Sequence, residues 1–181
     1  MADRAEQDPR EAVWIARVVA HDDHEAFGEL VALHQSAVRR FLLRLTANDA
    51  SRADDLAQDT FLKAYRHIRS FQARGRFLSW MFRIAWQLFI TEERGNRGIA
   101  EVPLPEEIPA EDDASQRVAD MRTFDQMMNT LRPDERAAIV LHYRHELTHP
   151  EIAEILELPL GTAKSLLRRA HARLREAHGI R

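Results

Sequence analysis

"LTHPEIAEILELPLGTAKSLLRRAHARL", residues 147–174, decides the fold of the C-terminal part of the chain. Thr148 is followed three residues later by Glu151, the spacing of a helix-opening capping box. "ELPLGT", residues 157–162, is a break, where Pro159 and Gly161 are expected to supply a rigid turn and free backbone. A longer, basic helix follows. A short helix, a tight break and a longer basic helix make the helix-turn-helix pattern. At about 100° per residue, Ala163, Leu167, Ala170 and Leu174 fall together and are expected to pack inward. Lys164, Ser165, Arg168 and Arg169 fall opposite, with Arg173 continuing the basic row. Lys and Arg there suit phosphates or base edges, and Thr162 and Ser165 can hydrogen-bond to either. A solvated basic face on an ordinary terminal helix has the same pattern.

Working outward from this stretch, the rest of the chain also has helical periodicity. Residues 22–46 place Phe27, Leu30, Val31, Leu33 or His34, Val38, Phe41, Leu42 and Leu45 at helical spacing. Residues 50–71 form a second long helix with Ser51 as its expected N-cap. Residues 76–94 form a third. Nothing alternates with period two, so no sheet is expected. Residues 95–116, "GNRGIAEVPLPEEIPAEDDASQ", hold three prolines, two glycines and six carboxylates against Arg97 alone. That composition cannot bury a core and is expected to be a flexible or extended acidic linker. Helical spacing returns at residue 118, and Pro133 suits the first turn of the next helix. The expected architecture is all-α: a helical domain over 1–94, a linker over 95–116 and a four-helix domain over 117–181.

Composition narrows the function. The 181 residues include no cysteine, which removes disulfides, thiolate zinc sites and cysteine nucleophiles, and fits a cytoplasmic protein. No apolar run approaches the roughly 20 residues needed to span a bilayer, and the N-terminus does not read as a signal peptide. The net charge of −3 hides a segregation. From Gly161 onward, six cations face Glu176 alone. Between Phe61 and Arg94, seven cations outnumber Glu92 and Glu93. Such segregation points to local anion-binding faces on an acidic body.

Two stretches of the N-terminal domain carry further chemistry. "ADDLAQDTF", residues 53–61, gathers Asp54, Asp55 and Asp59 on one helix. Paired carboxylates of this kind hold magnesium in all-helical lyases, but such enzymes need a second metal motif and a larger apolar cavity, which this chain lacks. On a helical projection Phe61, Leu62, Tyr65 and Ile68 share one side. Asp55, Asp59, Lys63 and Arg66 occupy the other, with Leu56 beside Asp59. An apolar residue among exposed charges reads as a protein contact, although a solvated face with an Asp59–Lys63 pair has the same pattern. "SFQARGRFLSW", residues 70–80, interleaves Arg74 and Arg76 with Phe71, Phe77 and Trp80. Cations there would track a nucleic-acid backbone while aromatics stack on an unpaired base, or the aromatics are simply core. Arg83 lies one turn after Ser79 and is placed to hold a phosphate. The histidines of "HDDHEAF", 21–27, and "LHYRHELTHP", 141–150, lack the partners of known zinc motifs. No catalytic residue, metal or cofactor is expected.

The C-terminal stretch resembles region 4 of the extracytoplasmic-function (ECF, group IV) sigma factors, whose usual form runs close to S-x-x-E-I-A-E-x-L-G-x-P-x-G-T-V-K-S-R-L-x-R-A. Glu151, Ile152, Ala153, Glu154, Leu156, Pro159, Gly161, Thr162, Lys164, Ser165, Leu167, Arg169 and Ala170 carry the match. Residues 53–85 resemble region 2 of the same family through Asp55, Leu56, Gln58, Asp59, Phe61, Phe71, Phe77, Trp80, Ile84 and Ala85. The resemblance implies a partner, core RNA polymerase. Asp54, Asp55, Leu56, Gln58 and Asp59 would dock on the clamp helices of its largest subunit. It implies that region 2 opens and binds the −10 promoter element, through Arg74, Arg76, Phe77, Trp80, Arg83 and Gln87. Region 4 would bind the −35 element through Thr162, Lys164, Ser165, Arg168, Arg169 and Arg173. It also implies an anti-sigma factor as regulator. The chain departs from the pattern at Gln87, where asparagine is usual, and at Thr91, where aspartate is common. Glu157 replaces the usual turn glycine, and Leu166 stands where an arginine would offer a DNA contact. Gln87 is expected to alter −10 preference. The alternative is a stand-alone helix-turn-helix regulator, which would bind its duplex without polymerase.

Overall fold

The computed structural model describes residues 9–72, 75–96 and 125–178. Among them every regular element is a helix, as the all-α expectation requires. The chain divides into two compact units, Met1–Phe89 and Ile90–Arg181.

The N-terminal unit is built from α1 (Pro9–His21), α2 (His24–Leu45), α3 (Ala50–His67), a single 3-10 turn (Ile68–Ser70) and α4 (Phe77–Asn96). α4 runs on past Phe89 and includes Gly95 and Asn96, where the linker was expected to begin. The remainder of that linker lies outside the described residues. Aspartates start two of the helices. Asp23 Oδ1 accepts the Ala26 amide at 3.0 Å, and Asp49 Oδ1 accepts the Arg52 amide at 3.0 Å. Each contact satisfies one of the amides a helix start leaves without a partner. The cap of α3 is therefore Asp49 rather than Ser51. The chain leaves α2 through Ala47 and Asn48, both left-handed (φ 53° and 69°), and this tight reversal delivers Asp49 to the capping position.

α2 supplies Leu30, Val38, Phe41, Leu42 and Leu45 to the core, and α4 supplies Phe77, Met81, Phe82, Ala85 and Phe89. Phe41 and Phe82 meet with ring centroids 4.9 Å apart. Each fully buried aromatic of this kind contributes about 1.5–3 kcal/mol. The choice between Leu33 and His34 falls to His34, which is buried while Leu33 is exposed. His34 Nε2 lies 3.2 Å from Glu11 Oε2, a buried polar contact between α1 and α2.

The C-terminal unit holds a short helical stretch over 125–129, then α5 (Pro133–His145), α6 (His149–Ile155) and α7 (Leu160–His178). Residues 118–124, expected to open the first of these helices, lie outside the described residues. α5 is buried continuously from Glu135 to Leu141, as befits the central helix of a small domain. Pro133 occupies its first turn, and Glu135 accepts the Arg132 amide at 3.1 Å. The Arg136 guanidinium donates to the Met128 and Leu131 carbonyls at 2.9 and 3.2 Å, closing the end of the 125–129 stretch. Burial pushes its pKa below the ordinary arginine value.

The capping box at α6 forms as read from the sequence: Glu151 Oε2 accepts the Thr148 amide at 2.8 Å. The turn after α6 is made differently from the expectation. Glu157 is its left-handed residue (φ 55°). Leu158 N–H reaches the Ala153 carbonyl at 2.9 Å and Glu157 N–H the Glu154 carbonyl at 3.3 Å, the paired bonds of a Schellman ending. Pro159 sits at the start of α7, where its carbonyl accepts the Ala163 amide at 3.0 Å. Gly161 is already helical, with open space where a Cβ would be. Ala163, Leu166, Leu167 and Ala170 of α7 pack inward. Position 166 thus faces the interior and is not a place from which a side chain would contact DNA.

Candidate protein and nucleic-acid interfaces

The acidic helix α3 presents a surface different from the expected one. Its buried residues are Ala53, Leu56, Ala57, Thr60 and Ala64. Small side chains let α3 lie close against α2, and that close approach sets the rotation of the helix. Leu56 is 6% exposed and belongs to the core, whereas Leu62 is 47% exposed. Leu56 is therefore not a surface docking residue in this structure. Asp55, Gln58, Asp59, Leu62 and Arg66 fall at i, i+3, i+4, i+7 and i+11, one continuous exposed stripe. Asp54 stands apart from it. Both of its carboxylate oxygens accept from Arg39 of α2, with Nη2–Oδ2 at 3.2 Å. Hydrogen bonding to Arg39 holds the Asp54 carboxyl below the ordinary carboxylate range. It is a cross-helix tie. The apolar member of the acidic stripe is Leu62, which lies one turn beyond Asp59.

At the entrance to α4, Phe71, Phe77 and Trp80 form a three-ring cluster with centroids 5.2–5.5 Å apart. Phe77 is 1% exposed and also touches the His34 ring at 5.6 Å, so it is core and its face is not available to a base. It serves as the floor for Phe71 and Trp80, both half-buried. Arg74 lies outside the described residues. Arg76 immediately precedes α4, and its carbonyl accepts the Trp80 amide at 3.2 Å. Trp80, Arg83 and Gln87, at i, i+3 and i+7, share one half-exposed face of α4. An aromatic edge, a cation and an amide on one rigid helix face can stack on a base, neutralise a phosphate and hydrogen-bond a base edge.

α7 carries two rows of cations with different roles. Thr162, Lys164 and Arg168 are exposed, and the Ser165 hydroxyl donates to the Gly161 carbonyl at 2.9 Å. These residues stand on the outer side of the N-terminal half of the second helix of the motif, which in such folds enters the major groove. Arg173 and Arg169 point elsewhere. Arg173 Nη1 donates to Glu135 Oε2 at 2.8 Å, and Arg169 Nε lies 4.0 Å from Glu135 Oε1. The Glu135 side chain is wholly buried, and of these two arginines Arg173 is the one that hydrogen-bonds it. Arg173 is therefore an internal tie between α5 and α7 rather than a free DNA contact. The spacing within α7 could not show this, because the carboxylate sits 38 residues earlier in the chain.

No group of three or more metal-capable side chains gathers among the described residues, and no helix among them is long and apolar enough to cross a membrane.

Two helical units, an acidic stripe with an aromatic–cationic helix face in the first and a helix-turn-helix in the second, define the class of chain. Residues 30–98 match sigma-70 region 2, and residues 121–174 match sigma-70, region 4. The ECF RNA polymerase sigma factor SigW of Bacillus subtilis is 31% identical over 178 residues, covering 87% of this chain and 91% of its own. The ECF RNA polymerase sigma factor SigE of Mycolicibacterium smegmatis is 33% identical over 161 residues and covers 83% of this chain, which spans 61% of that relative's length. Among solved structures, the sigma factor RpoE from Bartonella quintana, crystallised with the anti-sigma factor NepR, matches with a TM-score of 0.71 at 28% identity, over 85% of this chain and 97% of its own. The chain belongs to the ECF sigma factors of RNA polymerase.

Proposed function

We propose that this chain docks on core RNA polymerase through α3 and directs it to promoters through α4 and α7. The observation that carries the reading is the separation of surfaces: a carboxylate stripe with a single exposed leucine on α3, and exposed cations on α7. Asp55, Gln58, Asp59 and Leu62 are the docking residues, facing basic groups on the clamp helices of the largest subunit. Complementary charge would steer association and fix register. Arg76, Trp80, Arg83 and Gln87, with Arg74, engage the opened −10 element, and Thr162, Lys164, Ser165 and Arg168 engage the −35 duplex. On this reading region 2 takes residues 1–94, a linker 95–116 and region 4 residues 117–181. The chain performs no catalysis of its own and acts in the cytoplasm. An anti-sigma factor is its regulator, in keeping with the complex in which the Bartonella relative was solved. In vitro transcription with core polymerase on a promoter library tests this reading. Initiation that depends on the chain is the expected result; duplex binding by the chain alone, without initiation, would support a stand-alone regulator instead.

A further inference from the structure

The histidines of "LHYRHELTHP" take no part in the function proposed above, yet the fold brings two of them, His142 and His149, together. α6 and α7 border an open cleft of about 590 Å³. His149 of α6 lines it, with Lys164, Arg168, His171 and Arg175 of α7, over a floor of Leu167 and Leu174. No lining residue is acidic. On α7 these basic groups recur about once per 5.4 Å turn, so they form a row along the helix. On the other cationic row Arg173 bonds Glu135, with Arg169 4.0 Å from the same carboxylate.

The imidazoles are held in place. His149 stacks on His142 of α5 with centroids 5.5 Å apart and planes 18° from parallel. His142 Nδ1 is 3.0 Å from the Leu147 carbonyl and donates to it. Tyr143 Oη lies 2.7 Å from His171 Nε2. The groups around His171 are Tyr143 and His142 from α5, His149 from α6 and Arg175 on its own helix. Burial, then His142 and Arg175, hold the His171 imidazole below its ordinary value. The Tyr143 hydroxyl and His171 Nε2 share one hydrogen bond, which fixes the ring at the edge of the cleft.

We propose that this cleft is a phosphate-binding site that grips the DNA backbone beside the groove entered by α7, using His149, His171 and Arg175 in addition to Lys164 and Arg168. The proposal rests on the promoter-binding reading. It favours DNA because the cleft shares Lys164 and Arg168 with the duplex-facing edge of α7, so an anion held there lies on the strand flanking that groove. The sign of the pH dependence follows. A bound phosphate raises the imidazole pKa, so binding takes up a proton. Affinity gains as pH falls from the phosphate-bound imidazole's pKa toward the lowered value of free His171, and that gain is lost as pH rises back through this window.

The test uses the full chain assembled with core polymerase and a labelled promoter duplex obtained by selection, titrated between about pH 8 and about pH 5.5, around the imidazole range. Wild type should tighten by about tenfold at the acid end, the equivalent of one imidazole shifted by one unit. The double variant His149→Gln with His171→Gln should lose most of that slope. Arg175→Ala should weaken binding at every pH and reduce the salt slope by about one. Because polymerase is common to all arms, its own titration cancels. A double variant with the wild-type slope, or Arg175→Ala with wild-type affinity and salt slope, overturns the site and points the cleft toward an acidic polypeptide. If Lys164→Ala with Arg168→Ala leaves binding intact, the duplex-facing reading of α7 itself fails.

Discussion

Glu135 is a wholly buried carboxylate, and the stability of the C-terminal unit depends on what balances it. It accepts the Arg132 amide, which completes the start of α5, and it accepts Arg173 from α7. Removing one partner of such a pair leaves an uncompensated charge, at about 3–5 kcal/mol for a fully buried pair. Arg173 is partly exposed, so Arg173→Ala should cost about 2–3 kcal/mol of stability in this unit, below the range for a fully buried pair. Lys164→Ala should cost under about 0.5 kcal/mol, as exposed substitutions do. Chemical denaturation of the two variants, followed in the C-terminal unit, separates a structural arginine from a DNA-facing lysine. Equal stability in both would return Arg173 to the DNA surface. Glu157 makes a second residue-scale point. It holds a left-handed conformation that costs a non-glycine residue about 1–2 kcal/mol. Glycine would relieve that strain but gains freedom in the unfolded chain. Glu157→Gly should therefore stabilise the unit by up to about 1 kcal/mol, read as a higher denaturant midpoint with unchanged slope. A lower midpoint would show that the glutamate side chain contributes more than the strain removes.

At the scale of elements, helical periodicity and the capping box placed α2, α6 and α7 correctly, because local spacing determines them. The rotation of α3 was not legible in the same way. Phe61, Leu62 and Tyr65 share one side of the projection with Ile68, but within α3 the helix buries Leu56, three alanines and a threonine. Packing distance between two helices is a tertiary property that one helix's pattern does not encode. The consequence is measurable. Leu56→Ala should destabilise the N-terminal unit by about 2–5 kcal/mol, as core truncations do. Leu62→Ala should leave stability within about 0.5 kcal/mol. It should weaken core polymerase binding by about 1–2 kcal/mol, as expected of an apolar anchor in a polar rim. The reverse pattern, measured by thermal melts and a core-binding titration, would restore the original projection. The same limit applies to Phe77: its position beside Arg76 looked suited to base stacking, and only the fold shows it beneath Phe71 and Trp80.

For the whole molecule, the segregation of charge was the most informative property of the chain. The net charge of −3 gives no hint of it. Exposed carboxylates gather on α3 of one unit, and exposed cations gather on α7 of the other. Part of the apparent basic excess on α7 is internal, spent on Glu135, so the DNA-facing set is smaller than a count of arginines implies. The acidic set shrinks for a similar reason, because Asp54 is tied to Arg39. What remains on α3 is Asp55, Gln58, Asp59 and Leu62. The central claim is that this stripe is the handle for polymerase. The most direct measurement is the affinity of the Asp55→Arg, Asp59→Arg double variant for core RNA polymerase, with circular dichroism confirming unchanged helicity. The account predicts a loss of at least about thirtyfold, or ~2 kcal/mol, from two reversed charges against a complementary surface. Wild-type affinity in a fully helical variant would contradict it.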